Sequence, residues 1–213
     1  MNYGQIRDFA LQLIRQYTIA GTPYAPSYND QQDYLNAIPN LLNDGLVYLA
    51  TYYRPRDAFV VLDPEEAEDF GGYLRFPLPE DLLDTKSTGL FIPEQGSAAP
   101  NYVTGARFLL PDYVLVPKDV KDKMVLEYYR RPQLVTAAPA DTDSIDAPVP
   151  EQMCLAYWIA AHLVMQDDAF TYASLYNEFQ TKAEELASRR ITAEVSYIQD
   201  AYGVPYSMEG AYV

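Results

Sequence analysis

The segment 151–166, EQMCLAYWIAAHLVMQ, constrains the fold more than any other part of the chain. Pro148 and Pro150 precede it in the way that prolines open helices, and its apolar side chains cover nearly every face of a helical wheel. A helix of this kind must be buried on several sides, against other helices, a neighbouring subunit, or both. Its longest apolar run, Met153 to Met165, is too short to cross a bilayer, so we expect no membrane partner.

Three other segments have the spacing of apolar side chains that predicts amphipathic helices. The first runs from a cap at Asn2 to about Ile19, the second starts from a cap at Asn29 or Asp30, and the last ends near Arg190. Pro39 lies in the second helix, where we expect a kink because the stripe continues in phase beyond it. The three stripes are Ile6, Ala10, Leu13 and Tyr17; Leu35, Ile38, Leu42, Leu46, Leu49 and Tyr53; and Tyr172, Leu175 or Tyr176, Phe179, Ala183 and Leu186.

Between the second helix and 151–166 the sequence predicts short strands: AFVVLD, YLRFPL, GLFIP, ARFLLPDYVLVP and MVLEYYRRP. The last is the strongest, because Met124, Leu126 and Tyr128 alternate with a mixed set of residues. We therefore predict an α+β fold, mainly a bundle of four helices with a β-rich insertion between helices 2 and 3. The expected divisions are 1–54 for the N-terminal helical pair, 55–135 for the insertion, 136–190 for an acidic connector and the C-terminal helical hairpin, and 191–213 for a tail.

Net charge, tyrosine content and the single cysteine limit the classes of function that the chain can have. A net charge of −15 argues against a groove that clamps nucleic acid by neutralising phosphates. The 20 tyrosines favour protein interfaces, although compositional drift would also produce them. The only cysteine, Cys154, excludes an internal disulfide and suits a reducing cytosol. No basic stretch followed by an apolar core begins the chain, so we expect no signal peptide and synthesis in the cytoplasm.

His162, the only histidine, is by residue type a candidate catalytic or metal-binding residue. Asp167 and Asp168 lie roughly 140° and 120° around the helix from it, and none of the residues three or four positions away could complete a pair of ligands. We therefore expect His162 to be a hydrogen-bonded core or interface residue. Cys154 is eight residues away, which at about 12 Å along the helix excludes a nucleophile–base hydrogen bond.

Two acidic clusters remain: Asp63, Glu65, Glu66, Glu68 and Asp69, and then Asp141, Asp143 and Asp146. The second alternates acids as a calcium loop does, but it lacks the glycine and the distal glutamate of such loops, so we expect a solvated loop without metal. Gly71 and Gly72 do not form a phosphate-binding motif, and no pair of carboxylates is placed by spacing for hydrolysis. We expect no catalytic residue, no cofactor and no metal ligand.

Three stretches together carry a family resemblance. They are DYLNAIPNLLNDGLVYLA (Asp33 to Ala50), LEYYRRP (Leu126 to Pro132) and VPEQMCLAYWIAAHLVMQDDAFTYASLYNEFQTKAEEL, about a third of the chain. In order and spacing they resemble the second helix, the last strand and the closing helical hairpin of the head–tail adaptor (connector) proteins of tailed bacteriophages. The middle of the chain, from about Pro55 to Lys123, is longer than in the smallest adaptors and is similar to that of the larger podovirus-type ones.

The resemblance implies a structural virion protein of the neck. Such adaptors form rings, commonly dodecamers, beneath the portal protein, bind the next tail or neck protein below, and let genomic DNA pass through the lumen without specific binding. His162 would then be a packing residue, and Asp167-Asp168 would mark the turn between helices 3 and 4. The alternatives are another phage neck or tail-completion protein and, less favoured, a metal-dependent hydrolase that uses the acidic loops.

The tail, 191–213, lacks a sustained helical pattern, and Gly203 and Pro205 break any long helix. The resemblance implies that adaptor C-terminal segments dock on the portal. We therefore expect the tail to order on the portal surface, the other possibility being that it folds back on its own bundle. The expected portal-docking residues are Tyr197, Tyr202, Tyr206 and Tyr212.

Overall fold

The computed structural model describes residues 1–16, 28–93 and 101–202. Within them the chain forms four helices and two antiparallel sheets, with all the strands between the second and third helices. The predicted α+β class with four helices is therefore confirmed. The chain divides into two compact units, a helical unit (Met1–Arg54 and Pro132–Val213) and an insertion unit (Pro55–Arg131).

The helices are α1 (Tyr3–Gln16), α2 (Tyr28–Tyr52), α3 (Val149–Val164) and α4 (Ala169–Tyr202). The helix α3 is central, because α1, α2 and α4 all pack on it. Eleven of its 16 residues are buried, as its nearly continuous apolar surface predicts. Buried residues from all four helices form one core, and they include Ile6, Leu13, Ile38, Leu42, Leu46, Leu155, Ile159, Leu175 and Phe179.

Asn2 caps α1, as the sequence predicts: the backbone N–H of Gln5 donates to its Oδ1 at 2.9 Å, and the Gln5 side chain accepts from the Asn2 N–H at 3.0 Å. The acidic connector completes this end of the helix. Its backbone carbonyls at Asp143 and Asp141 accept from the N–H groups of Tyr3 and Gly4 at 2.9 and 3.0 Å. The connector is thus part of the bundle's structure as well as a surface loop.

The start of α2 differs from the prediction. The helix already includes Asn29 and Asp30, so neither residue precedes it as a cap. Its buried stripe begins at Tyr34, which is 8% exposed, and not at Leu35, which is 37% exposed. A tyrosine ring can be buried while its hydroxyl bonds at the edge, here to Asp167, so a count of aliphatic residues alone misplaces the stripe. Pro39 lies inside the helix without ending it.

The insertion unit contains eight strands. They are β1 (Arg56–Leu62), β2 (Glu68–Phe70), β3 (Tyr73–Pro77), β4 (Leu82–Ile92), β5 (Asn101–Tyr102), β6 (Arg107–Leu109), β7 (Tyr113–Pro117) and β8 (Met124–Arg130). One sheet has the order β1-β8-β4-β5 and the other β2-β3-β7-β6. The inner sides of the two sheets share one apolar core, so the unit is a small sandwich. Gly71, with φ +64°, and Gly72 make the tight turn of the β2–β3 hairpin.

The predicted alternation of β8 is confirmed, because Met124, Leu126 and Tyr128 are all buried in the sandwich core. The segment that holds the first acidic cluster, between Asp63 and Gly72, contains a short 3-10 helix, Pro64–Glu66, and the strand β2. The helical unit begins again at Pro132, whereas the expected division between the insertion and the connector lies at 135/136. The reason is that both backbone polar groups of Val135 bond to the Asn43 side chain on α2, at 2.9 and 3.0 Å.

Candidate functional site

His162 lies on the last turn of α3 inside a cluster of aromatic rings. Its Nδ1 is 2.8 Å from the carbonyl oxygen of Trp158, and its ring centroid is 4.0 Å from that of Trp158. The rings of Tyr172 and Tyr176 on α4 stand edge-on to it, each at 6.1 Å. The structure thus places His162 half-buried among aromatic side chains, and its contacts are those of a packing residue.

The surrounding aromatic cluster joins α2, α3 and α4. Tyr48 stacks on Trp158 with centroids 4.8 Å apart, and Phe179 stands 5.0 Å from Trp158. Burial, together with a hydrogen bond to Tyr48, raises the pKa of Tyr176 to about 12. Tyr176 therefore stays neutral at physiological pH, which suits a packing and hydrogen-bonding group.

Cys154 lies at the centre of the bundle and is fully buried. Its thiol donates to the carbonyl oxygen of Phe179 at 3.6 Å, and burial raises its pKa to about 12. Since the thiolate is the reactive form, this cysteine has the properties of an inert core residue.

The aspartates after His162 form the turn between α3 and α4. The Oδ1 of Asp168 accepts from the backbone N–H groups of Phe170 and Thr171 at 3.1 Å, and its Oδ2 accepts from the Thr171 hydroxyl at 2.5 Å. Asp167 accepts from the Tyr34 hydroxyl at 2.9 Å. Both carboxylates are thus engaged in fixing the helical hairpin.

The two acidic clusters are held by ion pairs and hydrogen bonds within the chain. In the insertion unit, Lys123 lies 2.6 Å from Asp63 and Lys118 lies 2.5 Å from Asp69. In the connector, Arg7 lies 2.6 Å from Asp141, and Asp146 accepts from the backbone N–H of Gln133 at 2.7 Å. Within the ranges that the structure describes, no three His, Cys, Asp or Glu side chains are grouped so that they could hold a metal ion.

Two features were not predicted from the sequence: a buried ion pair in the helical unit and a row of arginines on one sheet of the insertion unit. Glu151 is 4% exposed at the start of α3 and is paired with Arg54 at 3.3 Å. The outer side of the β2-β3-β7-β6 sheet carries arginines among aromatic rings, at Arg75 and Arg107. Sequence reasoning missed the second feature because it depends on which strands are neighbours, and four short strands can be ordered in many ways.

The structure describes the backbone of two of the four expected portal-docking tyrosines. The helix α4 continues beyond Arg190, where the sequence pattern weakens, and its backbone includes Tyr197 and Tyr202. The fourth helix thus ends later than predicted, because a helix already begun on a packed face can continue through residues of weak pattern. Tyr206 and Tyr212 lie outside the described residues.

In the part of the chain that the structure describes, no helix is both long and apolar enough to cross a membrane. No protein-family model matches the chain, and no curated protein matches it.

Proposed function

We propose that this chain is a structural virion protein, a head–tail adaptor that forms a ring beneath the portal, joins the DNA-filled head to the tail and lines the DNA channel. The observation that carries the proposal is the order of elements. A four-helix bundle is interrupted between its second and third helices by a strand-rich unit, which is the arrangement that the resemblance implies.

The charge of the chain supports the same function. The ranges of the helical unit hold 16 acidic and six basic residues, and those of the insertion unit hold 14 and nine. A channel wall of net negative charge does not retain DNA, because it offers few cations to replace the counterions of the phosphates. The inert surroundings of Cys154 and His162 also favour a structural role over a catalytic one.

The C-terminal tyrosines are the proposed contact with the portal protein. Tyrosine is among the residues that contribute most to binding energy at protein interfaces. Since α4 reaches Tyr202, the test is directed at Tyr206 and Tyr212 in 203–213, and not at the whole of 191–213.

The test is attachment of the purified chain to portal-bearing, DNA-filled heads of the same phage that lack an adaptor, followed by sedimentation and electron microscopy. We expect the complete chain to form a ring on the portal, and we expect Tyr206→Ser with Tyr212→Ser to reduce its attachment by roughly tenfold or more. Tyr102→Ser, at a tyrosine that is 48% exposed in the insertion unit, is the matched control and should attach normally.

Other outcomes lead to different conclusions. A chain that binds tails but not portals would be another neck or tail-completion protein. A chain that binds neither would not be an adaptor. Normal attachment of the double tyrosine variant would reject the docking role of Tyr206 and Tyr212 while leaving the adaptor role intact.

A further inference from the structure

The outer side of the β2-β3-β7-β6 sheet is the most distinctive surface of the insertion unit. Arg75 on β3 and Arg107 on β6 are both cross-strand partners of Leu115 on β7, so the three residues form one row across the sheet. Their neighbours Phe76 and Val114 belong to the sandwich core on the opposite side. Leu115 is nevertheless 6% exposed, as expected where the stems of long side chains cover it.

Aromatic rings hold these arginines in place. The guanidinium carbon of Arg75 lies 5.4 Å from the ring centroid of Phe70 and 4.6 Å from that of Tyr113, and Arg75 is also paired with Glu68. The guanidinium carbon of Arg107 lies 5.5 Å from the ring centroid of Tyr73. We call Phe70, Tyr73, Arg75, Arg107 and Tyr113 the arginine–aromatic face. Arginine and tyrosine are the residue types that most often dominate binding energy at protein interfaces.

Arg107 is distinguished by its lack of an anion. Most basic side chains of the described residues are already engaged with carboxylates or carbonyl oxygens of the same chain. Arg107 and Arg131 are the exceptions among the arginines whose side chains the structure describes, because their guanidinium groups have neither an ion pair nor a hydrogen bond. Arg131 stands outside both sheets, whereas Arg107 stands within an exposed aromatic surface.

The nature of the partner follows from charge. Copies of a chain with a net charge of −15 repel one another, so a contact between them that places a cation against an anion is favoured. The helical unit supplies the anions, with a net charge of −10 from its 16 acidic and six basic residues. Glu184 and Glu185 on α4 are exposed there and have no ion-pair partner among the described residues.

We propose that the arginine–aromatic face binds the acidic surface of the helical unit of a second copy of this chain, with Arg107 as its ion-pairing residue. The contact joins two different surfaces, so repetition of it generates a ring or a filament and not a closed pair. The inference rests on the proposed function in one respect, since an adaptor ring requires a contact of this head-to-tail kind.

The first test is self-association of the isolated complete chain, measured by sedimentation velocity over a range of concentrations. We expect Arg107→Glu to raise the dissociation constant by roughly tenfold or more and Arg107→Lys to change it little. Arg131→Glu, the same charge reversal at an arginine outside the sheet that also has no anion, should associate as the unmodified chain does. The proposal is overturned if the unmodified chain stays monomeric, if Arg107→Glu associates normally, or if Arg131→Glu is equally impaired.

The second test identifies the partner surface. The Arg107→Lys variant introduces an amine that a zero-length carbodiimide can join to a carboxylate, and a mixture of isotopically light and heavy chains separates links between copies from links within one copy. We expect position 107 to link between copies to acids in 1–54 or 132–213. Intermolecular links confined to the insertion unit, or the absence of any, would contradict the proposal.

A third measurement addresses nucleic acid, the other polyanion that arginines and aromatic rings can hold. A fluorescent single-stranded oligonucleotide at low salt should show no binding that depends on Arg107; binding lost in Arg107→Glu, with self-association unchanged, would replace this proposal. The head-attachment assay keeps the two proposals separate. If Arg107→Glu forms complete rings on portals, only the copy-to-copy contact is wrong.

Discussion

The contact of Gly45 on α2 with Trp158 on α3 sets how closely these two helices pack. A Cβ atom at position 45 would lie 2.7 Å from Cδ1 of Trp158 and 2.9 Å from Cδ2 of Leu155, which is closer than packed atoms come. The Trp158 side chain is 8% exposed, and its indole N–H has no hydrogen-bond partner among the described residues. The Trp158 ring is therefore held by packing contacts and not by a hydrogen bond. Its position depends on the space left by the absence of a side chain at Gly45.

Gly45→Ala tests this contact. Alanine would favour the helix by about 1 kcal/mol, whereas overpacking a tight core costs about 1–3 kcal/mol. We expect the packing cost to prevail, with a lower midpoint of chemical denaturation and altered fluorescence of Trp158, the only tryptophan. Asn40→Ala, on the exposed side of α2, is the control and should be neutral or slightly stabilising. A stabilised Gly45→Ala would mean that the helices can separate at little cost.

Arg54 joins three elements of the bundle at one end. Its Nε lies 3.3 Å from the buried carboxylate of Glu151 on α3, and its Nη1 donates to the carbonyl oxygen of Leu186 on α4 at 3.2 Å. Arg54→Met keeps much of the side-chain volume but removes the cation from a buried carboxylate, which costs about 3 kcal/mol in comparable pairs. Equilibrium denaturation would measure the loss. Lys118→Met, whose ion pair with Asp69 lies at the surface, should cost less than about 1 kcal/mol; equal losses would contradict the importance of burial.

The turn before α4 makes the free energy of unfolding depend on pH. The hydrogen bond from the Thr171 hydroxyl, with those from the backbone N–H groups of Thr171 and Phe170, lowers the pKa of Asp168 below its usual value. A carboxyl with a lowered pKa stabilises the folded state above its unfolded pKa of about 3.9, and this contribution is lost as pH falls through the folded pKa.

We therefore expect Asp168→Asn, which keeps a side-chain oxygen to accept from the helix, to show a smaller fall in Tm between pH 6 and pH 3 than the unmodified chain. Thermal melts followed by circular dichroism would measure the difference. Asp44→Asn on α2 is the control, since Asp44 is exposed and has no hydrogen-bond partner among the described residues. Identical acid sensitivity in Asp168→Asn and the unmodified chain would show that this cap does not contribute.

An element could be predicted from the sequence when the residues that define it are close together in the chain, and could not when they are distant. The helices and β8 could be read from the sequence because their apolar periodicity is local, and the cap at Asn2 could be read because its partner Gln5 is three residues away. The arginine–aromatic face could not be predicted, since Arg75 and Arg107 become neighbours only through pairing with β7. The same holds for Glu151, which looks like an ordinary first-turn acid until Arg54 is placed beside it.

In the whole molecule, the first and last strands of the insertion unit pair with each other, so the two ends of this unit are neighbours. Arg56 at the start of β1 is the cross-strand partner of Arg130 at the end of β8, and neighbouring strands lie about 5 Å apart. A short flexible linker could therefore replace 55–131 without straining the helices.

We expect the chain with 55–131 replaced by a linker of about six glycine and serine residues to keep its helical circular dichroism and a cooperative thermal transition. The piece 55–131 expressed alone should give the dispersed amide spectrum of a folded β protein. A linker length too short to close the gap provides the control. Loss of cooperative unfolding at every linker length would show that the helical unit needs the insertion to fold.

The central position of α3 also affects how the protein is made. Both N-terminal helices pack on α3, which begins only at Val149, so their apolar stripes leave the ribosome before their partner exists. At roughly 5–20 residues per second, the stretch between α2 and α3 takes on the order of ten seconds to synthesise. The insertion unit is complete within that interval and can fold first, because all of its strands are contiguous in the chain. During that interval the apolar stripes of α1 and α2 have no α3 to pack on, so this is the stage of synthesis at which the chain is most exposed to aggregation.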